Sequence, residues 1–519
     1  MKKIVNNIYN LFTIKYGTLF VFTALFILSV FLYSKTINFD ISGFDDESFS
    51  QISFSKYSLK DIFTKNVFLS DDLSLSNRPV FYRPVLILSF AIDSLIKQNV
   101  QVFHTTNILL HLACSFIFFV FLKRYFFNFE FSFLATVLFL LHPANIFTVA
   151  WIPGRNNSLL FIFFISSVIF LFEYINKEKL FFLCLHFVLF VLSLLTKETG
   201  LLIILIGTYY LLIKKDKRTF FIICLYAVTT TVFIIIYHKI TPSIFSFDIN
   251  KYFSHLICDM KFLFDYYFTL YFYNIHFSSY VKNINIVFGI FAVILSFVFA
   301  LFSKLKKKEK IICFVMPVLL LSFSLILKPI FFQGNRLYIP LAFIIITFMS
   351  FIQNFTNKKL VYLFFLCISF YSVSVSFDKM ICFQNPLIFF ETIDKEKENY
   401  NVDFVSNLYS YNLLKFGNYE KAKLKINEVA QLTNYQNPFN LYMLSLICIY
   451  EKNFEQAANY LEEIINLDKK DICCKLVVCY EKLGNFEKSL YYYKELVYIT
   501  GNEKDVESLL DKQRIMLND

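Results

Sequence analysis

The sequence predicts an all-α membrane protein that ends in a helical-repeat domain. Three observations predict it. The 519 residues are 57% hydrophobic and 20% aromatic, with only 17% charged. Their mean hydropathy of +0.57 is more than a soluble globule carries. Apolar runs recur up to residue 380 at lengths near the roughly 20 residues that a membrane span needs. From about residue 400 the helical period persists but charges become frequent.

Taken in order, about eleven spans are predicted, roughly at 17–35, 104–122, 131–151, 158–175, 180–196, 199–213, 219–237, 284–302, 311–330, 338–353 and 360–377. The start Met1-Lys2-Lys3 followed by an apolar run imitates a signal peptide. No small-x-small cleavage site follows, so a retained anchor is predicted. The net charge of +11 would suit nucleic acid, but the lysines cluster in alternate short loops. These hold Lys2, Lys3 and Lys15, then Lys123 and Arg124, Lys177 and Lys179, Lys214 to Arg218, Lys304 to Lys310, and Lys358 and Lys359. By the positive-inside rule these loops are cytoplasmic, which orients the chain in a plasma membrane. The other side then holds the 36–103 loop, the turn after Trp151, Lys197-Glu198, a long 238–283 loop, Asn335-Arg336 and the C-terminal segment. Within 36–103, Ser58 to Phe63 and Val85 to Ile96 read as short interfacial helices. The domain reading is a polytopic membrane part over 1–380, a linker over 381–400 and repeats over 401–519.

Those repeats rest on three similar units: Phe416-Gly417-Asn418-Tyr419-Glu420-Lys421-Ala422, Glu451-Lys452-Asn453-Phe454-Glu455-Gln456-Ala457 and Leu483-Gly484-Asn485-Phe486-Glu487-Lys488-Ser489. Their starts lie 35 and 32 residues apart, close to the tetratricopeptide period of about 34. Gly and Asn suit the turn of a helix hairpin, and such stacks present surfaces for peptides or proteins. The 11 cysteines show neither a disulfide framework nor zinc-ligand spacing.

The polar motifs of the membrane part all fall on the non-cytoplasmic side. Asp45-Asp46-Glu47 follows the first span, where a carboxylate at the membrane boundary is either functional or a solvated loop residue. Tyr82-Arg83-Pro84 offers a helix start and a guanidinium fork for phosphate. His104, Asn107 and His111 share one helical face, read first as interhelical hydrogen bonding and only second as chemistry. His142-Pro143 precedes Trp151-Ile152-Pro153-Gly154-Arg155-Asn156-Asn157, which is either a tight interhelical turn or a ligand-facing one. Lys197-Glu198 lies between two apolar runs, and Arg336 stands at the boundary before the tenth span. Together an acid pair and the cations Arg83, Arg155, Lys197 and Arg336 suit transfer from a phosphate leaving group. The carboxylate takes the acceptor's proton, and the cations stabilise the departing phosphate. Adjacent acids also leave open a divalent cation, Mg²⁺ or Mn²⁺, as cofactor.

The order of these motifs, Asp-Asp after the first span, Tyr-Arg-Pro, Phe-His-x-x-Asn-x-x-x-His, His-Pro with Trp-x-x-Gly-Arg, Lys-Glu and Arg-Leu-Tyr-x-Pro, then repeats, resembles the transmembrane-and-tetratricopeptide protein O-mannosyltransferases of the GT-C fold. The resemblance covers about residues 17–500. It implies an inverting transfer from a polyprenyl-phosphate sugar to protein Ser/Thr hydroxyls, with the repeats guiding the acceptor. It implies that Asp45 or Asp46 is catalytic, and that Arg83, His142, Arg155, Lys197, Glu198 and Arg336 bind donor phosphate or substrate. Two positions depart from the family pattern. Phe147 stands where the family often has an acid between His-Pro and Trp, and Asn335 where an acid precedes Arg-Leu-Tyr. The abundance of Phe, Ile, Lys and Asn has a prokaryotic, AT-rich style, so an undecaprenyl-type donor and a sugar other than mannose fit as well. Two other readings remain: a non-catalytic scaffold that displays its repeats, and a transferase acting on a lipid or polysaccharide.

Overall fold

The computed structural model describes residues 17–43, 45–69, 81–215, 218–241, 249–273, 282–325, 334–395, 402–432, 438–466 and 469–516. The lysines Lys2, Lys3, Lys15 and Lys217, the polar connection 71–77 and the last residues of the predicted span 311–330 lie outside them. Among the described residues every regular element is helical. The chain divides into two compact units, the first running to Asn385 and the second covering Pro386–Asp519.

The first unit contains α1 (Gly17–Tyr33), α2 (Asp46–Ser50), α3 (Leu59–Thr64), α4 (Pro84–Ile96), α5 (Val100–Tyr125), α6 (Phe129–Leu141), α7 (Ile146–Val149), α8 (Arg155–Lys177), α9 (Leu180–Thr196), α10 (Ile203–Lys214), α11 (Thr219–Ile240), α12 (Ile249–Phe272), α13 (Asn283–Phe302), α14 (Lys307–Leu325), α15 (Tyr338–Ile352) and α16 (Lys358–Met380). The described parts of the predicted spans fall on helical segments, with 131–151 divided at Pro143 and 199–213 beginning in a short 3-10 turn. Among the described residues seven helical stretches are long and apolar enough to cross a membrane: Gly17–Asn38, Val100–Tyr125, Ile152–Lys177, Thr219–Ile240, Asn283–Phe302, Gly334–Ile352 and Lys358–Phe383. An eighth, α6 with 143–149, is bent by 51°. Pro143 causes that bend, because it has no N–H to continue the helix ladder. Helices α9 and α10 are shorter, and α14 opens on four charged residues, Lys307, Lys308, Glu309 and Lys310.

The spans near the outside expose large apolar side chains such as Phe20, Ile27, Phe220, Ile235 and Phe370. A bilayer solvates such faces, and water would not. α15 is the most enclosed span, with 78% of its apolar window buried.

One expectation changes here. The 238–283 stretch is not a plain loop, because α12 occupies 24 of its residues. Asp259, Lys261 and Asp265 interrupt its apolar run, so it lacks the composition of a span. The structure resolves the conflict by burying Asp265 and giving its Oδ1 a hydrogen bond from Asn285 Nδ2 at 2.7 Å.

Cross-links between loops define the two ends of this unit. At the lysine-rich end, Arg124 and Lys177 pair with Glu173, Lys214 with Glu178, and Lys358 with Glu130. Lys304 donates to the Gln353 carbonyl. The polar motifs gather at the opposite end, described below.

In the second unit α17 (Pro386–Lys395) is followed by the hairpins α18 (Val402–Lys415) with α19 (Tyr419–Leu432), α20 (Pro438–Tyr450) with α21 (Phe454–Glu463), and α22 (Lys469–Lys482) with α23 (Phe486–Thr500), then α24 (Glu503–Met516). The predicted linker 381–400 thus contains a helix, and Asp394 of α17 pairs with Lys425 of α19 at 3.0 Å. Each hairpin turns through one left-handed residue: Gly417 (φ 76°), Lys452 (φ 60°) and Gly484 (φ 71°). Asn453 and Asn485 then cap the second helices, accepting from the Gln456 and Lys488 N–H groups. The last two hairpins and α24 share an apolar core that includes Ala457, Leu461, Ile472, Val477 and Leu496.

Candidate active site

Asp46 begins α2, eight residues beyond the first span. It is 1% exposed. Its Oδ2 accepts from the Ser42 N–H at 2.5 Å and from Ser42 Oγ at 2.7 Å. Its Oδ1 is buried without a hydrogen bond. Burial pushes this carboxyl up to about 7; the Ser42 bonds and the Trp151 indole oppose the rise, and the Asp45 charge adds to it. Asp45 is half-buried and Glu47 exposed. Of the three acids, Asp46 is therefore the one held out of water.

The cations form a second cluster. Arg83, immediately before Pro84 at the start of α4, places Nε and Nη2 on the two oxygens of Glu198 at 3.3 and 3.1 Å. Its guanidinium lies over the Phe81 ring. Tyr237 donates to the same Glu198 at 3.0 Å. Lys197 sits in the extended break between α9 and α10, and its Nζ donates to Asn157 Oδ1 at 2.8 Å. Burial, then the charges of Arg83 and Arg336, bring the Lys197 ammonium down to about 7, against the pull of Glu198. Burial also raises Glu198, but the Arg83 charge and hydrogen bonds outweigh it and hold that carboxyl below its ordinary range. The charges of Arg83 and Arg336 thus both bear on Lys197, and Glu198 is the acid that opposes them, so the surroundings of Lys197 are electropositive.

The turn from Trp151 to Asn157 joins the two clusters. Trp151 acts on Asp46. With its amide oriented to satisfy both atoms, Asn156 donates to the Thr196 carbonyl at 2.8 Å and accepts from Arg83 Nη1 at 3.2 Å. Asn157 holds Lys197. Gly154 makes this turn possible, because a Cβ there would lie 2.4 Å from the Phe147 carbonyl oxygen.

Two sequence expectations change. Arg155 was read as a donor-phosphate ligand, but it is fully buried and its fork is filled by protein. Nη1 binds Asp93 Oδ2 at 2.6 Å, Nε binds Asn107 Oδ1 at 2.8 Å and Nη2 binds the Phe103 carbonyl at 2.8 Å. The buried charge demanded a buried counter-ion, and Asp93 on α4 supplies it. His142 was also read as substrate-binding. Its Nδ1 accepts from the Ala144 N–H at 3.1 Å and its Nε2 faces the Leu270 carbonyl at 3.1 Å. The ring secures the Pro143 bend and α12, with both nitrogens in use. The shared face of His104, Asn107 and His111 is inward, as read. Asn107 Nδ2 donates to the carbonyls of Val149, Trp151 and Ile152 at 3.1, 3.1 and 3.2 Å. His111 Nδ1 meets Tyr338 Oη at 2.6 Å, and His104 is buried beside the Asp40 backbone. Phe147, at the position where an acid is absent, packs on Gly334 and the Phe383 ring.

Sequence reading missed Asp93, Asn156, Asn157 and Tyr237. Asp93 carried a signal, as the one acid inside the apolar run 84–96. Among the described residues no three His, Cys, Asp or Glu side chains converge, and a cation at Asp45 and Asp46 would take most of its six or more oxygens from outside them.

No family model matches the chain, and no solved structure matches it. A Caenorhabditis elegans protein named Protein O-mannosyl-transferase F38B6.6 is 33% identical over 138 residues, covering 25% of this chain. The match spans 19% of that relative's length.

Proposed function

We propose that the chain is a GT-C-type membrane glycosyltransferase that moves a sugar from a polyprenyl-phosphate donor to an acceptor hydroxyl, with protein Ser or Thr as the acceptor class. The observation that carries this reading is the turn 151–157, which sets a buried acid on one side and an electropositive cluster on the other. The named relative supports the reaction class.

In this reading ionised Asp46 takes the proton of the acceptor hydroxyl. The hydroxyl oxygen bonds to the anomeric carbon from the face opposite the phosphate. The bond from that carbon to the phosphate oxygen breaks, and its electron pair leaves with the lipid phosphate. Arg83, Lys197 and Arg336 stabilise the added charge. A base with a midpoint near 7 suits this work, being half ionised at neutral pH and still able to hold a proton. Glu198 is the counter-ion that keeps Arg83 in place. The donor's lipid tail stays in the bilayer, which explains why the site belongs to a membrane protein. The polar end is extracytoplasmic at a plasma membrane, and the C-terminal hairpins are tetratricopeptide repeats that recruit the acceptor on that side.

The test is transfer by the purified full chain in liposomes carrying radiolabelled polyprenyl-phosphate mannose and a Ser/Thr-rich peptide. Wild type labels the peptide, and Asp46→Asn loses at least about a hundredfold of that rate, the low end of general-base effects. Equal labelling by Asp46→Asn would refute the assignment, and label in extracted lipid instead of peptide would redirect the acceptor.

A further inference from the structure

We propose that Asp93, Arg155 and Asn107 are positioning residues, a buried relay that sets the 149–157 turn so that the acid and the cation cluster stand in register. The inference rests on the transferase reading for its activity arm only.

The relay is continuous. Asp93 Oδ1 accepts from Thr106 Oγ1 at 2.8 Å, and Asp93 Oδ2 takes Arg155 Nη1. Arg155 Nε reaches Asn107 Oδ1, which leaves the Asn107 amide nitrogen to donate to three carbonyls of the turn. The Arg155 guanidinium is also stacked 4.1 Å from the Phe90 ring centroid. Every group in this line is buried or nearly so, and each fixes the next in one orientation. The consequence lies in the spacing. Four residues before Arg155 is Trp151, which faces Asp46. One and two residues after it are Asn156 and Asn157, which hold Arg83 and Lys197. A rotation of the turn about Arg155 therefore moves both halves of the site at once. Arg155 is the residue type for this task, because a lysine cannot bind three acceptors in one plane.

Trp151 is the only tryptophan of the chain, so its emission reports the turn without any substrate. Asn107→Ala and Arg155→Lys are expected to red-shift that emission and open it to acrylamide. They are also expected to lower kcat on the order of 100-fold, the cost of a misplacement of about 1 Å, with donor KM changed less. Tyr226→Phe, which removes a buried bond to His186 elsewhere in the bundle, is the control for plain destabilisation and is expected to leave emission unchanged. Should the two variants fail to accumulate, Thr106→Val perturbs the same relay at its rim, with a smaller red shift and a severalfold loss of kcat. Wild-type emission and kcat in Asn107→Ala, or in Thr106→Val where the first cannot be purified, would overturn the inference. If Asp46→Asn proves fully active the transferase reading fails, and the emission arm still decides the relay.

Discussion

Ionisation of Asp46 offers the most direct check on the site, because the chain carries its own reporter. Asp46 is held from 3.8 up to about 7, chiefly by burial. At about 1.4 kcal/mol per tenfold in proton affinity, that rise costs the charged form about 4 kcal/mol. The sign follows from linkage. Below about pH 4 the carboxyl is protonated in both folded and unfolded chains, and Asp46 has no effect. Between about 4 and 7 the folded chain keeps a proton that the unfolded chain loses, so stability falls as pH rises through this window and levels off above it. Trp151 acts on the same carboxyl. Red-edge excitation, beyond tyrosine absorption, of the detergent-solubilised protein should give a Trp151 emission titration with a midpoint near 7. In Asp46→Asn that titration should vanish, and the variant should melt higher than wild type at about pH 8 but not at about pH 4. A midpoint below about 5, or the same titration persisting in Asp46→Asn, would refute the argument that burial governs this group.

Other outcomes test the neighbouring residues. Glu198→Gln leaves the Arg83 guanidinium without its counter-ion; both side chains are only 12–14% exposed, so a loss of about 2–3 kcal/mol, below the figure for full burial, is expected in thermal denaturation. Lys197 sheds its proton as pH rises through about 7, so donor KM should climb above that pH, whereas Lys197→Gln should show a high KM that is flat across it. Gly154→Ala drives a methyl onto the Phe147 and Thr148 backbone, and should cost about 1–3 kcal/mol together with most of the activity. In the second unit, Asn485→Ala removes the bond to the Lys488 N–H and should lower stability by about 1 kcal/mol without changing the Trp151 signal.

Much of this molecule was legible in residue order alone. A helix satisfies its backbone within a contiguous stretch, so apolar runs marked most helices of the membrane part, and among the described residues seven of these stretches are long and apolar enough to span. The turns at Gly417, Lys452 and Gly484 were equally local, since an Asn cap and a left-handed residue need no distant partner. Asp46 was marked by its place after the first span, but its distinction from Asp45 was not. That depends on which carboxyl the fold encloses with Ser42 and Trp151.

Partner choice among buried charges was decided by tertiary structure. Arg83, Arg155, Lys197 and Arg336 look alike in the sequence, as single cations at one membrane boundary. Folding gave Arg155 to Asp93, 62 residues away, and Arg83 to Glu198, 115 residues away. Lys197 was left with the amide of Asn157 and like-charged neighbours. Burial makes an unpaired charge costly, so each cation takes whichever acid the helix packing brings within reach, and sequence distance carries no information about that reach. Composition and period therefore determined the apolar helices of the membrane part and the helical hairpins of the second unit. The packing around one turn, residues 149–157, decided that Arg155 is held by Asp93 and Asn107, and that Lys197 is held by Asn157.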